Sequence, residues 1–169
     1  QEQITNCVLR TMRGYQLCNL TALKEVKCAM YRPTASPDTL LEATRTVGKY
    51  GQVCKGDALT EASKCLVSLA KSSHAVPVRA EACRQLGYFI DQKAEAAEAL
   101  KDRLIDADKT IRNAAFISLR QLGIDEQVIY EAIFCATRSD KSATRIRGIQ
   151  AIEDGLDCRK GASGSEDLP

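Results

Sequence analysis

Tryptophan is absent from this chain, histidine occurs once, and aromatic side chains make up only 5% of its 169 residues. With one histidine and no C-x-x-C pair, zinc fingers, zinc ribbons and thioredoxin-type redox sites are excluded. A Ser-His-Asp or Cys-His catalytic arrangement would have to use His74, and no G-x-S-x-G motif accompanies it. Neither Gly48-Lys49-Tyr50-Gly51 nor Gly161-Ala162-Ser163-Gly164 has the spacing of a phosphate-cradling loop. No catalytic residue, metal site or cofactor is therefore expected. Scarce aromatics also argue against stacking on nucleic-acid bases, and a net charge of +2 is too small to imply a polyanionic partner. No apolar run approaches the roughly 18 residues of a membrane-spanning helix, which leaves peripheral or lipid-anchored association. The chain opens on Gln1 rather than Met, so a leader, a tag or an upstream domain is expected to have been removed.

Cysteine, by contrast, is abundant: Cys7, Cys18, Cys28, Cys54, Cys65, Cys83, Cys135 and Cys158. An even count without metal-ligand spacing points to disulfides and an extracytoplasmic compartment, periplasmic or secreted. The alternative is a set of reduced, buried thiols acting as small hydrophobes.

What organises the chain is a repeat. Arg79, Arg112 and Arg145 recur every 33 residues. Each is followed at three by a small residue (Ala82, Ala115, Gly148), at four by Cys83, Phe116 or Ile149, and at seven by Leu86, Leu119 or Ile152. This is one buried face of a helix at 3.6-residue periodicity, and a fixed period of this length signals stacked units that cannot bury their faces alone. A degenerate copy aligns Ala43 with Ala82 and Gly48 with Gly87, with Leu40 in the arginine slot. Breaks at Gly14, residues 32–37, 51–56, 72–76, Gly123 and Gly155, with capping residues at Ser36, Asp57, Asp91, Asp108 and Asp125, divide the chain into nine helices. The expected fold is all-α: a right-handed α-solenoid of about four to five antiparallel hairpins. It forms one domain over residues 1–154, with an irregular first hairpin at 1–35 and a flexible, Gly- and acid-rich tail at 155–169.

Val78-Arg79-Ala80-Glu81-Ala82-Cys83-Arg84-Gln85-Leu86-Gly87 and Ile111-Arg112-Asn113-Ala114-Ala115-Phe116-Ile117-Ser118-Leu119-Arg120 resemble HEAT repeats of the short phycobilisome-lyase type. The resemblance covers roughly half the chain. It implies that the repeated arginine pairs with an aspartate ahead of its helix: Asp108 for Arg112 and Asp140 for Arg145, with no acid at that place for Arg79. Glu81, Glu95, Glu98, Asp102 and Asp106 read as solvated helix charges, and Phe89, Phe116 and Phe134 as core. Tyr50 and Tyr88, near equivalent helix ends, allow a shared surface ridge.

Residues equidistant from a hairpin turn face each other, which suggests Cys7–Cys28 and Cys65–Cys83 bridges. Cys18 and Cys54 fall in loops that stack on one edge and would join neighbouring repeats. Cys135 and Cys158 pair only if the tail folds back. The expected function is a non-enzymatic scaffold that binds a partner protein or peptide on a curved surface, with no nucleic acid involved. The concave face is expected on the second helices, at Glu61, Lys64, Ser68, Lys93, Ala97, Lys101, Glu131 and Arg138. Two alternatives stay open: the chromophore lyase or chaperone role that the family resemblance brings with it, and a nucleic-acid-binding domain.

Overall fold

The computed structural model describes residues 2–15, 18–72 and 75–163. Among them the regular elements are helices: α1 (Glu2–Gly14), α2 (Leu20–Met30), α3 (Pro37–Val53), α4 (Gly56–Lys71), α5 (Val76–Leu86), α6 (Lys93–Arg103), α7 (Lys109–Gln121), α8 (Glu126–Thr137) and α9 (Ser142–Ser163). A 3-10 turn at Ile90–Gln92 precedes α6.

Local chemistry sets most helix starts. The Ser36 hydroxyl accepts from the Thr39 N–H, with Pro37 at the first helical position. It also donates to the Glu2 carboxylate, which ties the start of α1 to that of α3. Asn19, Asp108 and Asp125 cap α2, α7 and α8 through side-chain oxygens. Two expected caps are not used as such. Asp57 lies inside the first turn of α4, and Asp91 sits in the 3-10 turn. The C-terminal boundary also differs: α9 continues past Asp154-Gly155 to Ser163. Gly155 does not stop it, because the glycine packs under Tyr130 and Phe116 in helical conformation, where a Cβ would stand 3.1 Å from the Tyr130 hydroxyl.

The helices form an α-solenoid of two rows. α1, α3, α5, α7 and α9 pack side by side in succession, and each even helix lies chiefly on the odd helix that follows it: α2 on α3, α4 on α5, α6 on α7, α8 on α9. A continuous core runs between the rows, from Leu9, Leu23 and Val26 through Leu66, Leu86 and Leu100 to Ile111, Leu119, Ile129 and Ile133. Each such side chain contributes about 1.5–3 kcal/mol by leaving water. Small residues on the facing surfaces, among them Ala80, Ala82, Ala114 and Ala115, let the odd helices approach closely. The odd row is packed more tightly along its length than the even row. In a curved two-row stack the closer-spaced row lies on the inside, so the odd helices line the concave side.

The residues expected to form the binding face fall on the other row. Glu61, Lys64, Ser68, Lys93, Lys101, Glu131 and Arg138 lie on or beside even helices, away from the concave side. Ala97 is buried in the core. Several of the charged ones satisfy each other locally: Glu61 binds Lys27 and Lys64, Lys101 binds Glu98, and Lys93 donates to the Gly123 carbonyl. Phe134, expected in the core, is half exposed, and Tyr50 is buried, which removes the Tyr50–Tyr88 ridge.

Candidate interaction surface

The repeated arginines do the same job at each step where their surroundings are described. Arg112 Nη1 donates to the carbonyls of Asp106 and Ala107, six and five residues back. Arg145 Nη1 donates to those of Ser139 and Asp140, again six and five back. Each guanidinium thus closes the loop ahead of its own helix. The carboxylates come from elsewhere. Arg112 Nε donates to Asp154 of α9 at 2.7 Å, and Arg79 pairs with Asp106, past the end of α6, at 3.5 Å. The expected partnerships with Asp108 and Asp140 are therefore corrected. The Asp108 carboxylate caps Thr110 N, and Asp140 is used through its backbone carbonyl. Asp106 is not a solvated charge either; it takes both Arg79 and Arg103 at 8% exposure. Arg79 and Arg112 are structural ties between elements of the stack, and Arg145 closes its own loop.

A second set of charges lies on the concave side, and it corrects the reading of Glu81 as a solvated charge: Glu81 is buried. Glu42 of α3 accepts Arg10, Arg13 and Arg45 within 3.5 Å. Glu81 of α5 accepts Arg45 and Arg84 within 3.7 Å, and Gln85 Nε2 at 2.7 Å. Both glutamates are buried, while the heads of Arg10, Arg45 and Arg84 stay 40–63% exposed. Four arginines thus share two sunken carboxylates across three successive odd helices. A guanidinium carries five donors in a planar fork, so pairing on one side leaves donors pointing outward. The signal was present in the chain. Glu42-Ala43-Thr44-Arg45 and Glu81-Ala82-Cys83-Arg84 are the same E-A-x-R motif in the two copies that align Ala43 with Ala82.

The ladder borders two open depressions on the odd row. One, about 310 Å³, lies among Arg13, Arg45, Lys49, Gln52, Glu81 and Gln85. The next, about 460 Å³, lies among Arg84, Lys109, Thr110, Asn113, Ala114 and Ile117. Gly48 lets the first form: the Gln85 side chain lies across it, in space a Cβ would occupy.

The cysteines divide sharply. Cys18, ahead of α2, is bonded to Cys54 at the end of α3, with Cα atoms 5.3 Å apart. The bridge joins neighbouring repeats across 36 positions and contributes about 2–4 kcal/mol by restricting the unfolded chain. Cys7–Cys28 and Cys65–Cys83 are not bridges; all four are free thiols, as is Cys135. Equal distance from a turn fixes height in a hairpin but not direction. Cys65 points to Tyr31 beyond α2, whereas Cys83 lies near Arg103 and Asp106. Cys7 and Cys28 face solvent. The side chain of Cys158, and His74, lie outside the described residues. Burial pushes the Cys83 thiol up to about 12 and raises Cys65 as well. At pH 8 a thiol reagent is therefore expected to modify Cys7, Cys28 and Cys135 in the folded protein, and Cys65 and Cys83 only after denaturation. Peptide mapping of the labelled protein checks this.

Among the described residues no cluster of three His, Cys, Asp or Glu could hold a metal ion, and no helix is long and apolar enough to cross a membrane. The family model for HEAT repeats matches residues 25–120, over half of the chain. The chain belongs to the HEAT-repeat family. Its match begins in α2 and ends in α7, so it covers the E-A-x-R ladder and the Arg79–Asp106 tie. HEAT repeats commonly serve as protein-interaction scaffolds, which suits a surface with exposed guanidinium forks. No curated protein matches the chain.

Proposed function

We propose that this HEAT protein is a non-enzymatic scaffold that takes an acidic stretch of a partner protein along its concave side. The observation that carries the reading is the ladder over α1, α3 and α5, in which four arginines share Glu42 and Glu81. Lys49 and Lys109, at the rims of the two depressions, add to the excess of positive charge. Guanidinium forks already held by a buried carboxylate lose little freedom when a second carboxylate arrives from solvent. Residues 1–154 act in this reading as one interaction domain. An extracytoplasmic location fits the Cys18–Cys54 bridge, since reducing compartments keep thiols free.

The test is fluorescence anisotropy with a labelled Glu-rich peptide and a Lys-rich peptide of equal length. The Glu-rich peptide is expected to bind and to weaken steeply as salt is raised. Arg84→Gln and Lys49→Gln are each expected to weaken it about tenfold, the value of one charge-assisted hydrogen bond. Equal binding of both peptides, insensitivity to the two substitutions, or tighter binding of duplex DNA would overturn the reading.

A further inference from the structure

Among the described residues, α9 carries an exposed apolar stripe at the repeat positions that earlier helices bury. Phe116 of α7 is covered by Tyr130 of α8, at a ring separation of 5.9 Å, and by Gly155 of α9. Cys83, at the same repeat position one step earlier, is wholly buried. Ile149 holds that position in α9 and is 54% exposed. Ile146 beside it is 56% exposed. Arg145 repeats the loop-closing bonds of Arg112 but has no carboxylate partner among the described residues. Glu153, exposed one turn beyond Ile149, has no cationic partner there either. The opposite face of α9, with Gly148, Ala151, Asp154 and Gly155, is spent on α7 and α8.

The spacing says what covers this stripe. Arg145 and Glu153 stand four residues either side of Ile149 and carry opposite charge. Side chains four apart share one face of a helix. Two copies of α9 laid antiparallel about Ile149 place Ile149 on Ile149. They also place Arg145 of each copy against Glu153 of the other, and Ile146 against Ile152. A parallel pairing would set arginine on arginine. The stripe is thus complementary to itself under a two-fold axis, as an isologous interface must be. We infer that a second copy of this chain docks here, giving an antiparallel α9–α9 dimer.

Sedimentation velocity over a range of concentrations tests the inference. The parent protein is expected to shift from 18.5 kDa towards twice that mass as concentration rises. Ile149→Asp is expected to remain monomeric. Arg145→Glu and Glu153→Arg each set like charges together twice and should weaken the dimer by about tenfold or more. The double variant Arg145→Glu/Glu153→Arg restores both pairs and is expected to regain the dimer. Ile149→Asp and Glu153→Arg alter exposed side chains and should melt as the parent does, whereas Arg145→Glu and the double variant give up the two bonds to the loop carbonyls and should melt slightly lower. A protein monomeric at every concentration, a dimer that survives Ile149→Asp, or a double variant as weak as the singles overturns the proposal.

Discussion

Replacing Arg112 with alanine is expected to lower the unfolding free energy by about 3–5 kcal/mol, the cost of stranding one member of a buried ion pair. Arg112 and Asp154 are 7% and 8% exposed, and they meet at 2.7 Å. The same guanidinium closes the loop ahead of α7 through the carbonyls of Asp106 and Ala107. Its removal leaves Asp154 with Lys109, whose own side chain is 58% exposed. It also leaves two carbonyls without this donor. Thermal melts should fall by on the order of 10 °C for a chain of this size. Arg145→Ala provides the contrast: the same two loop carbonyls are involved, but the arginine is exposed and carries no buried carboxylate. It is expected to cost under about 1 kcal/mol. Equal losses for the two variants would show that loop closure, not the buried pair, carries the effect.

Phe89→Ala is expected to be comparably severe, about 3–5 kcal/mol, through lost burial and the cavity left behind. Phe89 is fully buried after the end of α5. Its ring lies on Gly51 of α3, in the space a Cβ there would need. The ring therefore joins two repeats, and the glycine exists to let it in. Gly51→Ala alone should destabilise by forcing the ring aside, yet cost little more once Phe89 is alanine. Chemical denaturation of both singles and the double, read as a mutant cycle, measures this coupling. Additive losses would show that the two residues do not share that space.

The helices and their repeat were legible because each rests on local rules. The 33-residue spacing of Arg79, Arg112 and Arg145 marks one helix face, and Ser36, Asp108 and Asp125 mark helix starts through bonds to N–H groups two or three residues on. The Cys18–Cys54 bridge followed from stacking of adjacent loops. Partners chosen at long range were not legible. Asp154 lies 42 residues from Arg112, and nothing in the spacing separates it from other acids near a helix end. Ala97 and Lys101 share a helix and a four-residue interval, yet one is core and the other surface.

Sequence alone determined that this is an all-helical repeat solenoid, because periodic burial and helix capping depend on residues within one or two turns of each other. Only tertiary structure decided which row lines the concave side and which carboxylates meet the arginines. It also decided which cysteines bond and which part of α9 is left uncovered. Those depend on the relative spacing and rotation of whole helices, which the close approach of side chains such as Gly51 and Phe89 sets across repeats, and no local pattern encodes them.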